Sequence, residues 1–130
     1  MRHALAVLIL TALPATAQDI MTGAEFEAYV TGKTLTYSYS GEEFGTEQYL
    51  PNRKVRWAFT RDECKDGYWF EDSGKICFVY EDDGALQCWT FWQTPTGLKA
   101  LFEGDDATTE LSEVEQSTGP LACAGPDVGA

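Results

Sequence analysis

From Lys33 onward the chain alternates apolar and polar residues one by one. Leu35, Tyr37 and Tyr39 are interleaved with Thr34, Thr36, Ser38 and Ser40. Val55, Trp57 and Phe59 are interleaved in the same way with Lys54, Arg56 and Ala58. Successive side chains on a strand point to opposite faces, so a period of two gives strands with one buried face and argues against helices over the same stretch. Turn-forming residues punctuate the pattern at 41–45, 51–52, 71–74, 81–84 and 94–97. Further strand segments read at 47–50, 68–70, 75–80, 87–93 and 98–102, with a loop at 61–67. Residues 108–116 read either as one last strand or as a short helix. About seven to eight strands joined by short turns predict a mainly β chain, an antiparallel meander closing into a small barrel or sandwich. Trp57, Trp69, Trp89 and Trp92 supply rings large enough to fill such an interior.

One short helix precedes the strands. Thr22 and Glu25 have the spacing of a capping box, and Phe26, Tyr29 and Val30 then recur on one face. Gly32 stands where a helix C′ residue belongs, which predicts a helix over 23–31.

The first residues are of a different kind. Arg2 and His3 precede an apolar run from Ala4 to Leu13, Pro14 breaks it, and Ala15-Thr16-Ala17 has the small-x-small pattern of a cleavage site. This predicts a signal peptide over 1–17, cleaved after Ala17, and a periplasmic or secreted protein with no membrane anchor after cleavage. The remainder is expected to be a single domain over 18–116 and an acidic, irregular tail over 117–130. Residues 1–17 contain Arg2, the only histidine and no acid, so cleavage takes the formal charge from −12 to −13. A histidine-free chain has no Ser-His-Asp or Cys-His catalytic pairing and no histidine metal site. Its negative charge disfavours nucleic acid and anionic membrane surfaces as partners. No cofactor is expected, and the chain is read as a monomer.

Cys64, Cys77, Cys88 and Cys123 contain no CxxC pair, so neither a thioredoxin-like redox motif nor a zinc knuckle is present. Four cysteines in a small exported domain favour two disulfides. If Glu81–Gly84 form a four-residue hairpin loop closed by Tyr80 and Ala85, counting outward sets Cys77 opposite Cys88. That gives a non-hydrogen-bonded pair with Cα atoms about 4.5 Å apart. A two-residue turn at Asp83-Gly84 instead sets Cys88 opposite Val79, and the bond would run diagonally. In the first register Cys64 is left for Cys123, fastening the tail to the barrel.

Two surface constellations stand out. Arg53, Lys54, Arg56, Arg61 and Lys65 concentrate basic charge within thirteen positions of an acidic chain and are the candidate anion- or partner-binding surface. The other reading is the solvated face of an amphipathic strand. Glu81, Asp82 and Asp83, with Glu103, Asp105 and Asp106, bring calcium to mind, but they lack the alternating ligand spacing of an EF-hand and suit ordinary turns. No nucleophile elbow, P-loop or dinucleotide fingerprint occurs.

Several stretches occur in a recurring order: GKT at 32–34, QYLPNRKVRW at 48–57, C..GYW at 64–69, ICF.Y at 76–80 and QCW at 87–89. In this the chain resembles small secreted bacterial proteins with an uncharacterised, cysteine- and tryptophan-containing β-rich domain, over about residues 24–102. The resemblance implies a periplasmic β-rich domain and carries over no catalytic residue. Asn52-Arg53 stand where that pattern usually has an Asp-Gly turn. The expectation is a non-catalytic module that binds a protein or envelope component through the 53–65 segment. The alternatives are a barrel carrying a small apolar or anionic ligand, or an enzyme using paired carboxylates.

Overall fold

The computed structural model describes Ile9 and residues 19–59 and 63–123. The stretch read as a signal peptide, Ile9 apart, lies outside the described residues, as does Arg61. Helix α1 (Gly23–Val30) is followed by eight strands: β1 (Thr34–Tyr39), β2 (Glu42–Tyr49), β3 (Lys54–Phe59), β4 (Lys65–Asp72), β5 (Lys75–Tyr80), β6 (Leu86–Thr94), β7 (Gly97–Phe102) and β8 (Leu111–Ser117). Each strand pairs antiparallel with the next, and β1 pairs with β8, so the sheet closes into a barrel. The ambiguous 108–116 segment supplies the eighth strand, entered through a short 3-10 turn at Ala107–Thr109. Among the described residues no helix is long and apolar enough to cross a membrane.

An eight-stranded barrel has an interior just wide enough for side chains to fill, or for one small ligand. Here α1 decides which end is filled. Thr22 caps the helix as its sequence predicts, its hydroxyl accepting from the Glu25 N–H while Glu25 accepts from the Thr22 N–H, both at 3.1 Å. The helix lies across the end of the barrel that carries the β2–β3, β4–β5 and β6–β7 turns and drives Phe26, fully buried, inward. Its ring packs edge-on or tilted against Tyr49, Trp69, Phe78 and Phe91, with centroids 4.5 to 6.4 Å away. Residues ahead of the helix anchor it: Ile20 bridges Trp92, and the Met21 N–H donates to the Phe91 carbonyl.

Two stretches differ from the sequence reading. The turn read over 41–45 is confined to Ser40-Gly41, and β2 begins at Glu42. Two acids and a glycine have low strand propensity, but the pairing of Glu42 and Glu43 with β1, and of Gly45 with both β1 and β3, overrides it. Likewise β4 starts at Lys65, inside the stretch read as a loop, because Lys65–Tyr68 pair with Lys54–Trp57. The turn between β2 and β3 holds both Asn52 (φ 62°) and Arg53 (φ 59°) in the left-handed region, the form an Asp-Gly pair takes in a two-residue hairpin. Arginine is a costly residue there, and its side chain is fixed by stacking 4.5 Å from the Trp69 ring and by ion pairing with Glu27 at 3.1 Å.

The disulfides are Cys77–Cys88 and Cys64–Cys123. Cys77 lies directly opposite Cys88 and Val79 opposite Leu86, the register of the four-residue loop, with Gly84 left-handed at φ 66°. The ladder ends one pair earlier than counted: the Gly84 N–H donates to the Tyr80 carbonyl, and the Ala85 N–H to Asp83 Oδ1. Cys64–Cys123 draws the chain beyond β8 back along the outer wall, where the Thr34 hydroxyl donates to the Gly119 carbonyl and the Leu121 N–H to Gln48 Oε1. Two disulfides in so small a domain suggest an oxidising, extracellular or periplasmic setting.

Two variants measure these constraints. Phe26→Ala is expected to lower the unfolding free energy by about 3–5 kcal/mol in urea titrations, as for other buried aromatic truncations. The double variant Cys64→Ser/Cys123→Ser opens a ring of 59 residues and should cost about 2–4 kcal/mol in the same titration.

Candidate functional site

The end opposite α1 carries the β1–β2, β3–β4, β5–β6 and β7–β8 connections, and among the described residues no helix covers it. Below them the interior holds a cavity of about 90 Å³. A single water needs roughly 10–15 Å³ of such space, so the cavity exceeds a one-water void several-fold. Phe44, Trp57, Phe59 and Trp89 form its walls near the mouth, and Tyr37, Tyr49, Phe78 and Phe91 line it on the side toward Phe26.

The mouth is aromatic because of two features of β2. Opposite Tyr37 and Ser38 the register slips, so that Phe44 is an extra residue between Glu43 and Gly45. A bulge of this kind re-aims side chains, and Phe44 joins Trp57 and Phe59 in a cluster with ring centroids 5.4 to 5.7 Å apart. Gly45 permits this packing, since a Cβ there would collide with the Trp57 ring.

Strand alternation carries Gly45, Glu47 and Tyr49 to the inside together. Glu47 is therefore buried, with 1% of its surface exposed, and lines the cavity. Its Oε1 accepts from the Tyr80 hydroxyl at 2.8 Å, while its Oε2 has no hydrogen-bond partner among the described residues. Burial pushes the Glu47 carboxyl up to about 8, opposed by the Tyr80 hydrogen bond. Burial, reinforced by Glu47, also raises the pKa of Tyr80 far up, so that this hydroxyl remains a donor. Beside them Tyr37 and Tyr49 share a hydrogen bond of 2.8 Å, and burial holds both phenols neutral.

The other buried carboxyl, Glu113, is a contrast. It accepts from the Tyr29 hydroxyl at 2.9 Å, the Gln116 side-chain amide at 2.7 Å and the Leu98 N–H at 3.3 Å. That arrangement is saturated. It joins α1 to β7 and β8, and burial together with Glu113 pushes the Tyr29 hydroxyl up to about 12.

The basic segment singled out in the sequence is not one surface. Arg53 belongs to the helix-plugged end, held by Glu27 and Trp69. Lys54 and Arg56 project outward from β3. Arg56 grips Asp66 through Nε at 2.7 Å and Nη2 at 3.3 Å, which holds the Asp66 carboxyl below its usual range. Lys65 lies at the cavity mouth, paired with Asp82 at 2.6 Å and 5.9 Å from the Phe59 ring centre. Among the described members only Lys54 and Arg56 share a face. The acidic runs are used locally: Asp82 pairs with Lys65, and Asp106 caps the 3-10 turn by accepting from the Thr108 N–H at 2.9 Å. Among the described residues no three histidine, cysteine or acidic side chains converge as metal ligands.

Glu47 was not singled out by its sequence context. The available signal was its phase: it lies two residues from Tyr49, on the face where β2 places its apolar residue. Comparison with protein-family models, curated proteins and solved structures finds no match. The site is therefore read from its own chemistry.

That chemistry has a pH signature. The folded state holds Glu47 protonated well above the ordinary carboxyl value of 4.5. The stability this represents is complete below that value and is lost as pH rises through about 8. At about 1.4 kcal/mol per unit the loss amounts to several kcal/mol. Urea unfolding of wild type and Glu47→Gln across this range should show the wild type losing stability relative to the variant. A constant difference would contradict the assignment.

Proposed function

We propose that this protein is an exported, disulfide-stapled β-barrel that binds one small ligand in its open end. The observation that carries this reading is Glu47: a buried carboxyl in the cavity wall with one oxygen left without a partner. Leaving a polar group unpaired inside a protein costs about 1–3 kcal/mol, and sites that bind small molecules combine apolar walls with a few such groups. The ring-lined cavity matches that description. Export follows from the 1–17 segment, with cleavage after Ala17 delivering the chain to the periplasm or the medium, in keeping with its disulfides.

A partner-binding surface on the 53–65 segment has less support, since Arg53, Arg56 and Lys65 each already engage a carboxylate at a different part of the barrel. Binding also fits better than catalysis by paired carboxylates. Such chemistry needs a second carboxyl close to the first in a distinct environment, and Asp82 and Asp83 stand at the exposed mouth.

A thermal-shift screen of small organic molecules tests the reading, with tryptophan emission followed in parallel. A ligand at a hundred times its Kd adds about 2.7 kcal/mol, a rise of several degrees in Tm. Hits should also move the emission of Trp57 and Trp89. The response should vanish in Ala100→Leu, which fills the cavity from β7. No hit from a broad screen, with emission unmoved throughout, sinks the proposal.

A further inference from the structure

We infer that the ligand is an organic cation, a compact ammonium on an apolar body, which pairs with the Glu47 carboxyl in the cavity wall. This rests on the reading of the barrel as a ligand carrier and names the chemistry its cavity selects.

Three independent features converge on positive charge. The first is Glu47, the carboxyl that lines the cavity beneath its mouth and whose Oε2 is unpartnered. The second is the wall. Phe44, Trp57, Phe59 and Trp89 present aromatic rings, and cations are attracted to ring faces within about 6 Å. The mouth already holds one ammonium this way, since Lys65 lies 5.9 Å from the Phe59 centre. The third is the field at the entrance. The open end carries Glu42 and Glu43 in the first positions of β2, and Glu81 to Asp83, Asp105 and Asp106 in its connections. The charge of Lys65 is matched there by Asp82. A cleft lined by one sign of charge concentrates ligands of the opposite sign and speeds their arrival.

Without a ligand, burial keeps the carboxyl neutral at and below neutrality. When an ammonium enters, one positive charge comes in and one proton leaves Glu47 for solvent, leaving an ion pair. The tyrosines facing Glu47 from β1, β2 and β5, namely Tyr37, Tyr49 and Tyr80, stay protonated throughout. From β3, β6 and β7 the cavity is lined by Trp57, Phe59, Gln87, Trp89, Phe91 and Ala100, none of which titrates, and from β8 by Leu111. Lys65, Asp82 and Asp83 complete the ionisable groups of the lining, and the Lys65 ammonium holds the Asp82 carboxyl below its usual range. One proton released per ligand gives an affinity that rises roughly tenfold per pH unit until Glu47 is ionised in the free protein.

Choline tests this, because its charge is fixed at every pH. The controls are the neutral alcohol in which a tert-butyl group replaces the trimethylammonium, and the corresponding carboxylate anion. Calorimetry from about pH 6 to about pH 9 should show choline Kd falling roughly tenfold per unit up to about 8 and then levelling. Two buffers of different ionisation heat should report about one proton released. The alcohol and the anion should bind at least about tenfold more weakly than choline at the upper pH. Glu47→Gln, checked for folding by circular dichroism, should lose both the slope and the preference for choline. The inference is overturned if the alcohol matches choline, if choline affinity is flat with pH, or if choline fails to bind while the screen finds other ligands. In each of those cases the ligand-carrying barrel stands. A screen that finds no ligand of any class overturns both.

Discussion

An eight-stranded barrel must do something with its interior, and here one aromatic ring settles the matter. Phe26 enters from the helix and meets Tyr49, Trp69, Phe78 and Phe91, so the plugged end packs like an ordinary hydrophobic core. Among the described residues no second plug enters from the other side. The rings there pack against one another around the mouth, and free volume remains behind them. Helix cap, barrel closure and cavity thus form one arrangement: the capping box positions α1, α1 positions Phe26, and Phe26 fixes the cavity floor.

Within that arrangement Glu47 is the expensive residue. A carboxyl so buried would normally be replaced by a hydrophobic residue or surrounded by donors, as Glu113 is. Glu47 has one donor, Tyr80. The two glutamates occupy the same barrel under opposite rules, one a saturated clasp and the other with one oxygen unpartnered among the described residues.

The local patterns of the sequence carried most of the fold. The Thr22–Glu25 cap and the cysteine spacing each depend on a few neighbouring residues and appear as expected. The alternation at Leu35–Tyr39 and Val55–Phe59 gives the expected strands, but Tyr39 and Phe59 at their ends are exposed while Thr34, Thr36 and Ala58 are covered. The pairing of β1 with β8 was not legible, because closure depends on strand tilt and stagger around the whole ring. The start of β2 was hidden by acidic residues and a glycine that tertiary pairing overrides. Glu47 was in phase with Tyr49, yet whether that face is wet or dry depends on residues contributed by strands far away in the chain. The basic segment illustrates the reverse: closeness in sequence did not make a patch, because the barrel divides 53–65 between its two ends and its outer wall.

The order of the cysteines has a consequence for how the molecule is made. Cys77 and Cys88 are eleven residues apart and meet across one hairpin, whereas the partner of Cys64 comes after all eight strands. In an oxidising compartment, thiols that emerge in chain order meet their nearest neighbours first, and for Cys64 those are the wrong ones. A bond from Cys64 to Cys77 or Cys88 takes up a thiol that the Cys77–Cys88 bond needs and must be undone by thiol–disulfide exchange. Correct oxidation therefore depends on the hairpin claiming its own pair early. The Cys77–Cys88 bond removes both thiols that compete for Cys64, and the correct partner of Cys64 lies beyond the last strand.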